Sequence, residues 1–253
     1  MSLLQSLYRT PVLLTPEWGH ERIFSPQSYE IIRKICTVPV ALHEASTLAR
    51  NFALCWQKDS DRVRLVALVS LLPEALAFPA YQDLPLILQA YPVVVRPNEA
   101  GEPLSIWVDK TIPDKPTDIG APILMDNHKL SSGAELRIRA ALHLRDTFWQ
   151  ADDLTDDLLA HGILETWPLK FDLGYGQKLE RDDLLVVASD QRDNPALYSI
   201  VQRHGLRAGL FMGLHRASLF RVNWLLMQAR NHLRTQDEKA RREEQSQSRE
   251  LFR

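Results

Sequence analysis

The chain has 253 residues, a mass of 29.0 kDa, 45% hydrophobic and 25% charged residues, and a formal charge of -2. This length supports one large domain or two small ones around a sizeable core, and the composition excludes a disordered or collagen-like chain. Thirty basic side chains against thirty-two acidic ones give no whole-chain attraction to nucleic acid or to an anionic membrane, so a nucleic-acid partner is not expected.

Two cysteines, Cys36 and Cys55, form no close pair, so a disulfide scaffold or thiolate-rich zinc site is not expected. A single Cys36–Cys55 bridge stays open at this level, while free thiols in a reducing compartment fit the composition. The first twenty residues contain Glu17 and His20 and lack the basic-flanked apolar run of a secretory signal. The apolar stretch 65–72 stops at Pro73 and Glu74, too short for an integral membrane segment, so the expected location is the cytoplasm.

Pro11, Pro16 and Gly19 mark the opening as irregular or edge structure. An extended passage over 36–42 follows, in which Pro39 disfavours a fully paired central strand. Leu48, Phe52 and Cys55 recur at helical spacing and predict a helix over 44–56, and 62–72 reads as a buried strand ended by proline. Val93-Val94-Val95 and Leu104-Ser105-Ile106-Trp107-Val108 flank a polar connection with Pro97, Asn98, Gly101 and Pro103, a hairpin with a long loop. Residues 111–132 read as an ordered surface excursion.

Ser132-Gly133-Ala134-Glu135 has the capping-box pattern and predicts a helix through Trp149. A second short helix is expected from Asp153 to Leu159 with Gly162 as terminator, Asp153 and Asp156 lying near the positive end of its dipole. Extended candidates follow at 167–173 and 184–188, joined by a turn-rich connection around Gly174-Tyr175-Gly176 and the charged run at 180–183. A second helical block covers 194–229 with a break near Gly205 and Gly209. The expected organisation is a single domain over 1–233 and a charged helical extension or disordered tail over 234–253. The fold class is α+β: an antiparallel or mixed sheet covered by helices, with a C-terminal helical block.

The chain carries no Walker A loop, no GxGxxG after a strand, no HExxH and no GxSxG elbow. Imidazoles and carboxylates are nonetheless the side chains of metal and acid/base sites. His43 with Glu44, and Asp126 with His128, are the suggestive local pairs: adjacent residues of a strand point to opposite faces, which weakens the first, while Asp126 and His128 share a face if extended. His204 and His215 lie in the second helical block, where acid/base work would need a neighbouring carboxylate and a cleft. Cys36 and Cys55 sit beside apolar residues and read as packing thiols, and the acidic pairs Asp152-Asp153 and Asp156-Asp157 lack a calcium-loop spacing. Arg203, Arg207, Arg216, Arg221 and Arg230 form a candidate basic strip for an acidic surface, and Trp107, Trp149, Trp167 and Trp224 are candidate contact anchors.

The order of several segments resembles the SapC-like family. Val38-Pro39-Val40 followed by Glu44 and Ala49-Arg50 is similar to its opening pattern, and Tyr91-Pro92-Val93-Val94, the Gly101 loop and Leu104-Ser105-Ile106-Trp107-Val108-Asp109 to its middle. Phe171-Asp172-Leu173, Leu185-Val186-Val187 and the leucine-rich block ending near Leu226 resemble its closing half, so the similarity spans roughly 30–230. The resemblance implies a bacterial protein with an accessory role in peptide modification, export or surface-layer assembly, and supplies no catalytic residues.

The leading expectation is an accessory protein that binds a polypeptide or partner protein through an apolar patch with peripheral arginine and carboxylate pairs; a homo-oligomer is also open. The alternative is a metal-dependent oxidoreductase or peptide-modifying enzyme, in which His43, His128 or His215 meets Asp109 or Asp126 in one cleft. The residues assign neither a cofactor nor a metal.

Overall fold

The computed structural model describes residues 7–17, 21–59, 62–96, 104–127, 129–189 and 194–251. Its centre is a five-stranded antiparallel sheet built from β3 (Thr37–Pro39), β4 (Ala53–Asp59), β5 (Arg62–Leu68), β9 (Leu164–Thr166) and β12 (Leu184–Val187), in the order β3-β5-β4-β12-β9. Pro39 stands in an edge strand, where its missing N–H breaks no ladder. Strand alternation divides β4 and β5 between two cores. Leu54, Trp56, Leu65 and Ala67 face one apolar cluster, while Ala53, Cys55, Val66 and Leu68 face another. Burial on both faces explains why 53–56 mimics a helical stripe.

That mimicry is the first correction. The helix expected over 44–56 is only α2 (Ala45–Leu48), preceded by a 3-10 turn (Leu42–Glu44), and Ala53 already belongs to β4. Phe52 N–H closes the last turn onto Leu48 O at 2.8 Å, after which β4 pairs with β5 from Ala53↔Leu68 to Asp59↔Arg62.

The two helices expected after residue 131 are one, α4 (Ser132–Ala160), about 44 Å long at 1.5 Å per residue. Its N-cap is Ser131 rather than Ser132, with Ala134 N–H donating to the Ser131 hydroxyl at 3.1 Å. Asp153 and Asp156 therefore lie in the middle of a helix and cap nothing. At the far end Gly162 takes φ +62, and the 162 and 163 amides return to Leu159 O and Leu158 O, so the predicted terminator holds. The length of α4 lets it serve two sheets. Its first turns cover β6 (Val93–Arg96) and β7 (Ser105–Asp109), which form a three-stranded antiparallel sheet with β1 (Pro11–Leu13), through Ala134, Ile138 and Ala141. Its later turns press Ala151, Leu154 and Leu158 onto the central sheet, where Trp56 Nε1 donates to Thr155 Oγ1 at 2.9 Å.

The opposite face of the central sheet is covered by the hairpin β10 (Leu169–Gly174) with β11 (Gln177–Arg181) and by α7 (Arg221–Leu251) through Leu225 and Ala229. The turn-rich connection expected after Gly174 is thus largely a strand, with only Gly174-Tyr175-Gly176 forming the turn. Two short strands, β2 (Arg22–Ile23) and β8 (Ala121–Pro122), and two short helices, α1 (Glu30–Lys34) and α3 (Leu86–Ala90), complete the N-terminal half.

The C-terminal helical block is α5 (Pro195–His204), α6 (Leu206–Ser218) and α7. The break falls at Gly205, with φ +77; Gly209 stays inside α6, where a Cβ would meet Val201 Cγ1 at 3.2 Å. The polar stretch after Arg234 continues α7 as an exposed helix. All strand pairs among the described residues are antiparallel, and the fold is α+β. His20, His128 and the loop with Pro97, Asn98, Gly101 and Pro103 lie outside the described residues.

Candidate functional site

Of the residues expected to share a metal or acid/base cleft, the described ones His43, His215 and Asp109 engage other partners. Among the described residues no group of three His, Cys, Asp or Glu side chains could hold a metal ion. Glu44 is buried, and its carboxylate accepts the Ala41 amide at 2.7 Å and the Leu86 amide at 2.6 Å, tying the turn before α2 to the start of α3. His43 stacks instead on His143 of α4, with ring centroids 4.2 Å apart, and its Nδ1 is buried without a partner. Asp109 receives four hydrogen bonds from Arg9, Thr10 and Thr111. Asp126 is exposed in a turn. His204 does find a carboxylate, Asp157 at 2.7 Å, but the pair is a clamp between α5 and α4 that Arg203 joins at 2.9 Å. Cys36 and Cys55 are free thiols, and burial pushes Cys55 up to about 12.

His215 has a different task. The β4–β12 register, Leu184↔Gln57 and Leu185↔Trp56, would next bring Val187 opposite Leu54, yet the direct pairing stops. The end of α6 fills the seam. His215 Nδ1 donates to Leu54 O at 2.7 Å, and Val187 N–H donates to His215 Nε2 at 3.2 Å. Leu54 N–H donates to Ser218 Oγ at 2.9 Å, and Arg216 Nη1 to Val187 O at 2.9 Å. Three polar side chains within four residues of one helix, His215, Arg216 and Ser218, thereby replace the ladder of two strand residues, in keeping with the rule that buried backbone groups are paired. A carbonyl can only accept, so the imidazole is neutral with its proton on Nδ1.

A pH prediction follows from these placements. Burial lowers His215 to about 4, and burial together with His143 lowers His43 to about 4, so below 6.5 the unfolded chain takes up protons that the folded chain refuses. Burial raises Glu44 to about 7, which acts oppositely, because between 7 and 4.5 the folded chain holds a proton that the unfolded carboxyl has released. Two histidines against one glutamate leave a net loss on acidification. At 1.36 kcal/mol per proton and pH unit, with His215 and Glu44 nearly offsetting and the partly buried His43 discounted for solvent, the folded chain is expected to lose roughly 0.5 kcal/mol per unit from pH 6.5 to 5. Glu44→Gln removes the opposing group, so urea titrations at several pH values are expected to show a steeper fall in that variant. An unchanged slope would contradict the assignment.

The surface suited to contact lies on the C-terminal block. Phe220, Trp224 and Met227 are 77%, 47% and 45% exposed and recur at intervals of four and three along one side of the chain entering α7. The opposite side of α7, with Val222, Leu225, Leu226, Ala229 and Leu233, packs into the core below β10. On α6 Leu206 and Leu210 are exposed one turn apart, and Tyr198 is exposed on α5. Singly exposed apolar side chains are ordinary on a folded surface, whereas a row of them along one side marks a contact surface.

Charge singles out the same segment. Residues 194–236 contain six arginines and no Asp or Glu, in a chain of net charge -2. Arg216 is occupied at the β12 seam, Arg230 donates to Asp172 O at 2.7 Å and Arg221 to Ala49 O at 3.4 Å, whereas Arg207 and Arg234 are exposed beside the apolar rows without a hydrogen-bond or ion-pair partner among the described residues. The expected strip is therefore divided between anchoring and exposed arginines. The run without acidic residues was the signal that single arginine spacings did not convey.

The four candidate tryptophans separate likewise. Trp107 is half-buried beneath the Arg96 guanidinium, 5.1 Å from its ring, and Trp167 packs against the core below β10. Trp149 is 56% exposed with Nε1 donating to Asp146 O on its own helix, leaving Trp224 as the one set in an exposed apolar row with arginine neighbours.

No helix among the described residues is long and apolar enough to cross a membrane. No curated protein and no solved structure matches the chain. The SapC family model matches residues 16–194, a stretch that holds the five-stranded sheet, the β6–β7 hairpin, the long helix α4 and the strands of the β4–β12 seam, and stops where the arginine-bearing helical block begins. With well over half of its length accounted for in this way, the chain belongs to the SapC family.

Proposed function

We propose that the chain is an accessory binding protein that takes an acidic, apolar segment of a polypeptide partner on its C-terminal helical block. The observation that carries this reading is the coincidence of exposed Phe220, Trp224 and Met227 with a 43-residue stretch, 194–236, that has six arginines and no acidic side chain. Apolar anchors supply contact area and flanking charges select the partner and speed its approach. Two copies of this face repel one another, which favours an acidic partner over a dimer formed through it. The same reading places the protein in the cytoplasm, where its two free thiols persist, and gives it an accessory place in bacterial peptide modification, export or surface assembly.

The test is fluorescence anisotropy with a labelled amphipathic peptide of Leu, Phe and Glu, against the same peptide with Lys for Glu. Binding is expected for the acidic peptide alone, weakening at least about tenfold in the double variant Phe220→Asp, Trp224→Asp and falling as salt is raised. Equal binding of both peptides, no binding, or binding only to vesicles containing anionic lipid would overturn the proposal.

A further inference from the structure

A second feature lies on other elements and goes beyond polypeptide binding. Between the turn end of the β4–β5 hairpin and the later turns of α4 is a cleft of about 630 Å³ lined by Lys58, Arg62, Val63, Arg64, Asp152, Asp156 and Leu159. Its volume is within the range of small-molecule sites. Arg64 is only 8% exposed as a residue, and among the described residues no hydrogen bond or ion pair within 4 Å holds its guanidinium, whose charge acts on Asp152 in the same cleft. A mostly buried arginine whose guanidinium borders a cavity, with no fixed hydrogen-bond acceptor, is placed to hold an anion there. Arg62 and Lys58 bring two more cations to the same cleft.

The opposite wall is of opposite sign. Asp152 and Asp156 stand one turn apart on α4, and both line the cleft. Carboxylates accept hydrogen bonds from hydroxyl groups and repel a second anionic group. Val63 and Leu159 add apolar surface between the two walls. Three cations suit a compact dianion, and the planar fork of arginine matches phosphate oxygens. We propose that this cleft binds a small phosphorylated polyol, with the phosphate on Arg64, Arg62 and Lys58 and the hydroxyls on Asp152 and Asp156.

Calorimetric titration of the full chain with ribose 5-phosphate, ribose, inorganic phosphate and acetate at matched ionic strength tests this. Ribose 5-phosphate is expected to bind at least about tenfold tighter than either of its parts. Arg64→Met is expected to weaken it by at least about tenfold, and Asp156→Asn to weaken ribose 5-phosphate while leaving inorganic phosphate unchanged. Should Arg64→Met not fold, Arg62→Gln with Lys58→Gln, both at exposed positions, carries the same expectation. No binding of ribose 5-phosphate, an equal response to acetate, or affinity unaltered in the Arg64 or the Arg62 and Lys58 variants would overturn the proposal. The Phe220→Asp, Trp224→Asp variant is expected to bind ribose 5-phosphate as the parent does, which keeps this result separate from that of the polypeptide-binding test.

Discussion

Replacing His215 by phenylalanine is expected to destabilise the folded chain by about 3 kcal/mol, since two buried backbone groups lose their partners at roughly 1–3 kcal/mol each. The ring volume is retained, and the packing against Trp56 and Phe211, at centroid distances of 5.0 and 6.1 Å, is kept. What disappears is the donor to Leu54 O and the acceptor for Val187 N–H. The two strands cannot simply close, because the ends of β4 and β12 are held apart at this point by the same helix through Ser218 and Arg216. Urea unfolding at neutral pH measures the effect, read as a lower midpoint at unchanged slope. A loss below about 1 kcal/mol would mean that Leu54 and Val187 find each other directly and that His215 does not hold the seam. His215→Ala adds a cavity to the same loss and is expected to be worse.

The second large effect is expected at Asp109. Its carboxylate, 3% exposed as a residue, accepts from Arg9 N at 2.7 Å, Thr10 N at 3.1 Å, Thr10 Oγ1 at 3.0 Å and Thr111 Oγ1 at 3.1 Å. Asp109 thus fastens the start of β1 onto the end of β7, where Pro11 pairs with Asp109 itself. Asp109→Ala strands these donors, and a loss of about 3–5 kcal/mol is expected from hydrogen bonds to a charged acceptor. Asp109→Asn keeps one acceptor oxygen and is expected to lose about half as much. Hydrogen exchange distinguishes the cause: the Val12 and Leu14 amides are expected to lose protection before those of β4 and β5. Uniform loss of protection would show that Asp109 supports the whole fold rather than the docking of β1.

Both residues were candidates for chemistry on the strength of their type, and both are occupied by backbone. Family membership rests on residues 16–194, which contain the five-stranded sheet, the β6–β7 hairpin and α4. The exposed apolar and arginine face follows that stretch, so the SapC-matched part and the candidate contact face are successive segments of one chain. The cleft at Arg64, by contrast, is built wholly within the matched residues. A response to a sugar phosphate and a response to an acidic peptide therefore probe separate parts of the molecule.

The sequence by itself determined the elements whose signals are local. The β6–β7 hairpin was legible from two β-branched runs, the stop of α4 from Gly162, the break between α5 and α6 from Gly205, and the edge position of β3 from Pro39, because turn geometry and proline act within a few residues. Tertiary structure decided the rest. Residues 53–56 are apolar at every position, which is compatible with a helix or with a strand between two cores, and pairing with β5 settled the matter. Helix α4 runs through Trp149 to Ala160 because two sheets cover its successive stretches, a long-range condition that no local stop signal reveals. The roles of His215, Asp109 and Arg64 were equally hidden. What a polar side chain does depends on which buried group or cavity it faces, and in these three cases the facing groups come from segments distant in the chain.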